Sequence, residues 1–237
     1  MTPEINNIWA VVPAAGAGRR MSTNIPKQYL PLGEKTVLEH TLDTLLACRQ
    51  LAGVVVALSA DDGYWPDLQD CYSSERLETV VGGAERCHSV LNGLTHLAGK
   101  ADADDWVLVH DAARPCVRLT DINILINTLS ATPHGGLLGV PVADTMKQVD
   151  GDNRVTATVA REGLWHAYTP QMFRIGRLRV ALQHAIDNDL LVTDEASAME
   201  LAGYQPQMAR GQRDNIKITV PSDLELAAFY LQTREQP

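Results

Sequence analysis

The sequence has no apolar run approaching the ~18 residues that a membrane-spanning helix requires; its continuous apolar stretches are as short as residues 54–58. The amino terminus reads Met1-Thr2-Pro3-Glu4, with no basic stretch ahead of an apolar core. No secretory leader is expected from it, and a cytoplasmic location follows as an expectation. Positive charge is in deficit: 20 Lys and Arg against 29 Asp and Glu give a formal net charge of −9. Sequence-independent nucleic-acid binding needs a basic stripe, so neither nucleic acid nor a membrane is an expected partner. Cysteine is sparse, at Cys48, Cys71, Cys87 and Cys116, with no Cys-x-x-Cys pair and no histidine at finger spacing. A structural zinc site of the finger type is not expected on that pattern, and reduced, mostly buried thiols are expected. His-Glu-x-x-His and Gly-x-Ser-x-Gly are both missing, which removes zinc proteases and serine hydrolases.

What is present is ordinary globular material: 237 residues, 45% hydrophobic and 21% charged, which excludes a disordered chain. Residues 8–12, 54–58, 79–81 and 106–109 are apolar runs of strand length, as strands buried on both faces require. Between them, Leu38, Leu42, Leu45 and Leu46 share one helical face, opened by the capping pair Thr36 and Glu39. Val90, Leu91, Leu94 and Leu97 repeat the pattern. Strand–helix alternation predicts an α/β fold with a doubly wound, mostly parallel sheet. Near Asp144 the rhythm changes to two polar strand-like pieces, 145–149 and 154–160, joined by Asp150-Gly151-Asp152-Asn153. A lone ribbon is marginal in water, so residues 144–161 are expected to project as an arm that rests on something else, such as a second subunit. Helices are predicted over 175–186 and 194–202, then a strand over 215–220 and a last helix opened by Ser222 and Glu225. The expected organisation is one domain over 1–237 with an inserted β-ribbon arm.

The first predicted strand runs into Pro13-Ala14-Ala15-Gly16-Ala17-Gly18-Arg19-Arg20-Met21. A glycine-rich turn after the first strand of such a sheet is where phosphates rest on backbone N–H groups. It is not a Walker loop, and Met21 stands where the dinucleotide fingerprint needs a small residue. Arg19, Arg20 and Lys27 instead place three cations within nine residues, a density suited to a triphosphate; a solvated basic loop is the alternative. Further blocks follow in order: Gly82-Gly83-x-x-Arg86-x-x-Ser89-Val90, Val109-His110-Asp111-Ala112-Ala113-Arg114-Pro115, Asp144-Thr145-Met146-Lys147 and Arg161-x-Gly163-Leu164-Trp165. Thr169-Pro170-Gln171, Thr193-Asp194-Glu195-Ala196 and Asp214-Asn215-Ile216-Lys217-Ile218-Thr219 complete the series. By pattern alone the Gly82-Gly83 pair is also an ordinary strand-ending turn. Asp111 also reads as a helix cap or a partner of Arg114, Lys217 as a solvated strand face, and Thr193 as a cap.

Together the blocks resemble the 2-C-methyl-D-erythritol 4-phosphate cytidylyltransferase family over essentially the whole chain. The resemblance implies a Rossmann-like nucleotidyltransferase fold and attack of the polyol phosphate on the α-phosphorus of CTP, releasing pyrophosphate. It implies catalytic roles for Arg20, Lys27, Arg161 and Lys217, and a nucleotide site of Pro13, Ala14, Ala15, Gly16, Gly18, Arg20, Lys27, Gly83, Ser89, Asp111 and Ala112. It further implies a polyol phosphate site of Asp111, Arg114, Thr145, Arg161, Thr169, Thr193 and Lys217, with magnesium near Asp111, directly or through water. A homodimer formed through the arm is also implied. A ribitol 5-phosphate cytidylyltransferase shares this nucleotide loop and chemistry, and a non-catalytic CTP-sensing module would need the loop but not Arg161, Thr169 and Lys217. The nucleophile is a phosphate monoester with a second pKa near ~6, already largely dianionic at pH 7, so no catalytic base is required. The obstacle is roughly six converging negative charges, which magnesium and the four catalytic cations offset.

Overall fold

The computed structural model describes residues 7–16, 25–72 and 74–235. After strand β1 (Ile8–Pro13) come a short 3-10 turn (Lys27–Tyr29), the small hairpin β2 (Pro31–Leu32) and β3 (Lys35–Thr36), and helix α1 (Val37–Ala47). Then follow β4 (Leu51–Leu58), α2 (Trp65–Gln69), β5 (Leu77–Val81), α3 (Arg86–Leu97), β6 (Trp106–Val109), α4 (Leu119–Leu129) and β7 (Gly136–Pro141). The ribbon strands β8 (Met146–Val149) and β9 (Val155–Val159) precede β10 (Trp165–Arg174), α5 (Ile175–Asp187), α6 (Glu195–Leu201), β11 (Gln207–Arg210) and α7 (Pro221–Glu235).

Seven strands form one sheet in the order β11-β7-β10-β6-β1-β4-β5. Every neighbouring pair is parallel except those of β10, which runs antiparallel to both β6 and β7. Side chains alternate between two buried faces, as period-2 geometry demands. Ala10, Val12, Val54, Val56 and Leu108 pack beneath Leu38, Leu42 and Leu45 of α1 and Ile122 and Leu125 of α4. Val11, Val55, Val107 and Val109 face Val90, Leu94 and Leu97 of α3 and Leu178 and Leu182 of α5. Each fully buried Leu stabilises the fold by roughly 1.5–3 kcal/mol. The Thr36–Glu39 capping box is formed: Thr36 Oγ1 accepts from the Glu39 amide at 3.3 Å and Glu39 returns the bond at 2.6 Å. The topology places the site. The chain leaves β1 to build β4 and β5 on one side, then returns through α3 to β6 on the other. The carboxyl ends of β1 and β6 therefore border a crevice where the winding reverses, and ligands of such sheets bind there.

Four expectations need correction. The run 79–81 forms a strand but not one buried on both faces, because β5 is the outermost strand and Val81 is 60% exposed. Residues 215–220 are not a strand: β6 already has β1 and β10 on its two edges, so this segment crosses outside the sheet, tied by Ile218 N–H to Ala113 C=O at 2.8 Å. The last helix does not open on a Ser222–Glu225 box. It begins at Pro221, and the Asp223 carboxylate accepts from the amides of Thr219 and Val220 and from the Thr219 hydroxyl. Proline suits a first helical position because its missing N–H has no partner there anyway. Of the four cysteines, all free, Cys48 and Cys116 are buried, Cys71 is exposed and Cys87 half-buried.

The ribbon is formed as expected. Met146 pairs with Val159 and Val149 with Val155, every residue of both strands is exposed, and the turn is closed by Asp150 Oδ1 accepting from the amides of Asp152 and Arg154. Met146 faces Val159 and Val149 faces Val155 across it, each of the four 37–61% exposed. Among the described residues, no helix is long and apolar enough to cross a membrane.

Candidate active site

Five segments converge on the crevice. Residues 13–16 leave β1 and pass under Gln28, whose Nε2 donates to Ala14 C=O at 2.6 Å. Opposite them the Gly82-Gly83 turn ends β5. Its Gly83 amide donates to Ser89 Oγ at 3.0 Å, so buried Ser89 fixes the shape of the turn. A Cβ at Gly82 would lie 2.6 Å from Ala15 Cβ, so only glycine allows the two walls to approach this closely, and one at Gly83 would lie 2.3 Å from His88 Cβ in the first turn of α3. Pro13, Ala14, Ala15, Gly16, Lys27, Gly83, Ser89, Asp111, Ala112 and Lys217 all line this one cleft, together with Gln28, Ala84, Glu85, Arg86 and Ala113. A larger open cavity of about 1070 Å³ lies at the opposite, amino edge of the parallel strands, beside Asp102, Asp104, Arg174 and Arg177, and takes none of the motif residues.

The floor of the cleft is a charge network centred on Asp111, which follows β6 and is buried. Its carboxylate meets Arg86 Nε at 2.8 Å, Lys217 Nζ at 2.8 Å and Arg114 Nε at 3.5 Å. Arg86 in turn forms a bidentate pair with the fully buried Glu195, at 2.6 and 3.0 Å. Three cations against two carboxylates leave one positive charge in excess, facing a cleft built for anions. Burial alone would raise the Asp111 pKa, but Arg86, Lys217 and Arg114 outweigh it and hold the carboxyl well below the usual carboxylate range. Lys27 Nζ donates across 191 residues to Ile218 C=O at 3.1 Å, which brings it beside the segment that carries Lys217.

His110 is structural. Burial pushes its pKa down to about 4, so the ring is neutral. Nε2 lies 3.2 Å from Arg114 C=O and Nδ1 lies 3.0 Å from Thr169 Oγ1, while that hydroxyl accepts from the Asp111 amide at 3.0 Å. One proton arrangement satisfies all three contacts: the ring donates from Nε2 and accepts the Thr169 hydroxyl at Nδ1. Thr169 therefore sits behind Asp111, only 4% exposed, and holds its backbone in place rather than lining the cleft. Arg114 is also withdrawn: it donates to Asn215 C=O at 2.8 Å and lies over the Tyr168 ring.

Other expected residues stand elsewhere. Thr145 and Arg161 are exposed on the arm, Arg161 donating to Ala143 C=O, and neither lines this cleft. Thr193 is exposed, and it lines a small neighbouring cavity with Arg86 and Glu195. Gly18 and Arg20 lie outside the described residues. Sequence reasoning assigned no role to Arg86, Glu195 or Gln171, although each stood inside a quoted block, nor to Gln28 beside Lys27. The Gln171 side chain links Asp194 to the Ala196 amide and so anchors the start of α6, which carries Glu195.

A scan against family models matches residues 8–233 to IspD, 2-C-methyl-D-erythritol 4-phosphate cytidylyltransferase. The chain belongs to the 2-C-methyl-D-erythritol 4-phosphate cytidylyltransferase family. The enzyme of that name from Pseudomonas putida (strain W619) is 54% identical over 218 residues, covering 92% of each chain. That from Hahella chejuensis (strain KCTC 2396) is 49% identical over 229 residues, covering 97% of this chain and 95% of the relative. The solved structure of the Francisella tularensis enzyme superimposes with a TM-score of 0.80 at 37% identity, over 94% of this chain and 99% of that one. The cytidylyltransferase transfers a cytidylyl group from CTP to 2-C-methyl-D-erythritol 4-phosphate in isoprenoid precursor synthesis, on a mostly parallel Rossmann-like sheet. That separates it from the ribitol phosphate and CTP-sensing alternatives.

Two places bear on metal binding. Asp111 offers a hard oxygen donor at the sheet edge, the kind magnesium prefers, but both oxygens already accept from cationic side chains. Such a carboxylate fits a magnesium ion held chiefly by the triphosphate and contacted through water. Glu85, Cys87 and His88 also cluster within 4.8 Å, with a mixed donor set unsuited to magnesium.

Proposed function

We propose that residues 1–237 act as a single nucleotidyltransferase domain whose cleft holds CTP with its base against Gly83 and Ser89. Its phosphates then lie toward Lys27 and Lys217, with Pro13, Ala14, Ala15, Gly16, Gly18 and Ala112 lining the nucleotide through their backbones. Lys27, Lys217 and Arg20 stabilise the negative charge that builds at the α-phosphorus, so catalysis is positioning plus electrostatics. The observation that carries this reading is that Lys27 and Lys217 line one cleft, above a network with one positive charge in excess whose two carboxylates are both ion-paired and so offer no base. A dianionic monoester needs none, and the one histidine beside Asp111 is buried and neutral, with both ring nitrogens engaged. Magnesium, when bound, supplies two further positive charges and polarises the phosphoryl oxygens. Asp111 would hold it through water, and Thr169 and Arg114 act by keeping Asp111 in place.

The polyol phosphate is held from two sides: by Lys217 and Thr193 of one subunit, and by Thr145 and Arg161 on residues 144–161 of a second copy. An exposed two-stranded ribbon with four exposed large apolar side chains is marginal alone, and Arg161 at its end does not line its own cleft. A two-fold dimer meets both conditions. Four free cysteines suit a reducing cytoplasm. The test is complementation between Lys27→Ala and Arg161→Ala. With the arm acting in trans, a mixed dimer carries one site with both lesions and one with neither. Equal mixing makes about half the dimers mixed, so activity returns to roughly one quarter of wild type. Subunits that exchange, as a tag pull-down reports, yet remain inactive would refute the arrangement.

A further inference from the structure

The first turn of α3 carries donors that cytidylyl transfer does not use. Among the described residues, Glu85, Cys87 and His88 bring a carboxylate, a thiol and an imidazole within 4.8 Å of one another. Cys87 Sγ lies 3.9 Å from Glu85 Oε2, and the Glu85 amide donates to His88 Nδ1 at 3.3 Å. Around a tetrahedral zinc ion, bonds of ~2.3 Å to sulfur and ~2.0 Å to oxygen set the two donors about 3.5 Å apart. The observed sulfur–oxygen separation is within half an ångström of that, and with all three donors inside 4.8 Å the remaining pairs close by side-chain rotation. Three donors from four consecutive residues sit on a backbone the helix has already fixed, so binding orders only a few side-chain torsions. Arg86, in their midst, does not oppose a cation there, because its guanidinium is committed to Asp111 and Glu195. Glu85 is exposed and Cys87 and His88 are half-buried, so an ion can reach them.

We propose that Glu85, Cys87 and His88 form a binding site for a divalent ion of the zinc class, distinct from the magnesium that accompanies the triphosphate, with water as the fourth ligand. Thiolate and imidazole select such ions over magnesium. On binding, the Cys87 thiol loses its proton to solvent, so thiolate, carboxylate and neutral imidazole surround the ion with no net charge. The site borders the cleft: Glu85 lines it, and His88 packs against Gly83, whose turn faces the nucleotide. Occupancy draws the Glu85 carboxylate to the metal and the His88 ring away from the Glu85 amide, so the ion acts on nucleotide entry rather than on phosphoryl transfer.

The probe is cobalt(II), titrated into the full-length, ligand-free protein and followed by its thiolate-to-metal charge-transfer absorption. One equivalent should bind with that absorption. Cys87→Ser should abolish it, His88→Gln should weaken binding by roughly 10²-fold, and Cys71→Ser should change nothing. Cys87→Ser should keep its turnover with magnesium and CTP, which reports an intact fold. One equivalent of zinc should raise the KM for CTP in the parent and not in Cys87→Ser. No charge-transfer absorption, or absorption that survives Cys87→Ser and is lost with Cys71→Ser, overturns the site. An equal zinc effect on the two proteins overturns its link to the cleft. Binding is read without substrate, so these outcomes leave the cytidylyl-transfer reading untouched.

Discussion

Asp111→Asn isolates the charge at the centre of the network while preserving the shape of the side chain. The carboxylate is buried and meets three cations, so its loss raises the local excess from one positive charge to two. Arg86 keeps Glu195 as a partner, and Lys217, about one-third exposed, turns toward water. Arg114 has no such escape, because its side chain is only 9% exposed. Breaking a buried pair from one side costs about 3–5 kcal/mol, and rehydration of Lys217 points to the lower end, about 3 kcal/mol. For a chain of this size that is a fall in Tm of roughly 6–12 °C, measured by calorimetry at pH 7. Acid supplies an internal control. The native pKa of Asp111 is depressed, so its stabilisation is fully present above the unfolded value near ~4 and is lost as pH falls further toward the native value. The gap between parent and variant should stay constant from pH 7 to 5 and shrink below about pH 4. A variant within 1 °C of the parent at pH 7 would refute the network as a stabilising element, and a gap that persists unchanged at pH 3 would assign the loss to something other than charge.

Replacing Lys27 by Ala should lower kcat on the order of 10²-fold or more with a smaller change in KM, since its charge acts mainly in the transition state; Arg20→Ala should behave alike. A pure KM effect would place both in ground-state binding instead. Gly82→Ala forces a methyl group to 2.6 Å from Ala15 Cβ and 2.8 Å from Ser89 Oγ. Overpacking of ~1–3 kcal/mol should raise the KM for CTP roughly tenfold or more, and an unchanged KM would show that the two walls can part without cost. Turnover should stop in excess chelator and return with magnesium, and ATP should replace CTP poorly; equal rates in either comparison would remove the metal requirement or the base selectivity.

Much of this fold was decided locally. The apolar runs 8–12, 54–58 and 106–109 become strands buried on both faces, whereas 79–81 forms a strand at the sheet edge with Val81 60% exposed. A Thr36–Glu39 pair before leucines spaced three and four apart starts a helix in any context. The glycine turns were legible for the same reason: close approach of two backbones leaves room for no other residue, and Gly82 and Gly83 are named by that need. What required the folded chain were features set by partners distant in sequence. Residues 215–220 alternate like a strand, yet they lie outside the sheet because β1 and β10 had already taken both edges of β6. Trp165–Arg174 is the one reversed strand, and Pro170 within it argues locally against a strand at all. Thr169 and Arg114 stand in the right motifs, but whether such a side chain faces ligand or supports the residue that does is a matter of a few ångströms across 58 residues of chain. The Glu195–Arg86–Asp111 relay spans 109 positions, and no pattern within either segment states which acid an arginine will choose. Charge is long-ranged in energy but short-ranged in geometry, so the sequence by itself supplied the ions and tertiary structure alone chose the pairs.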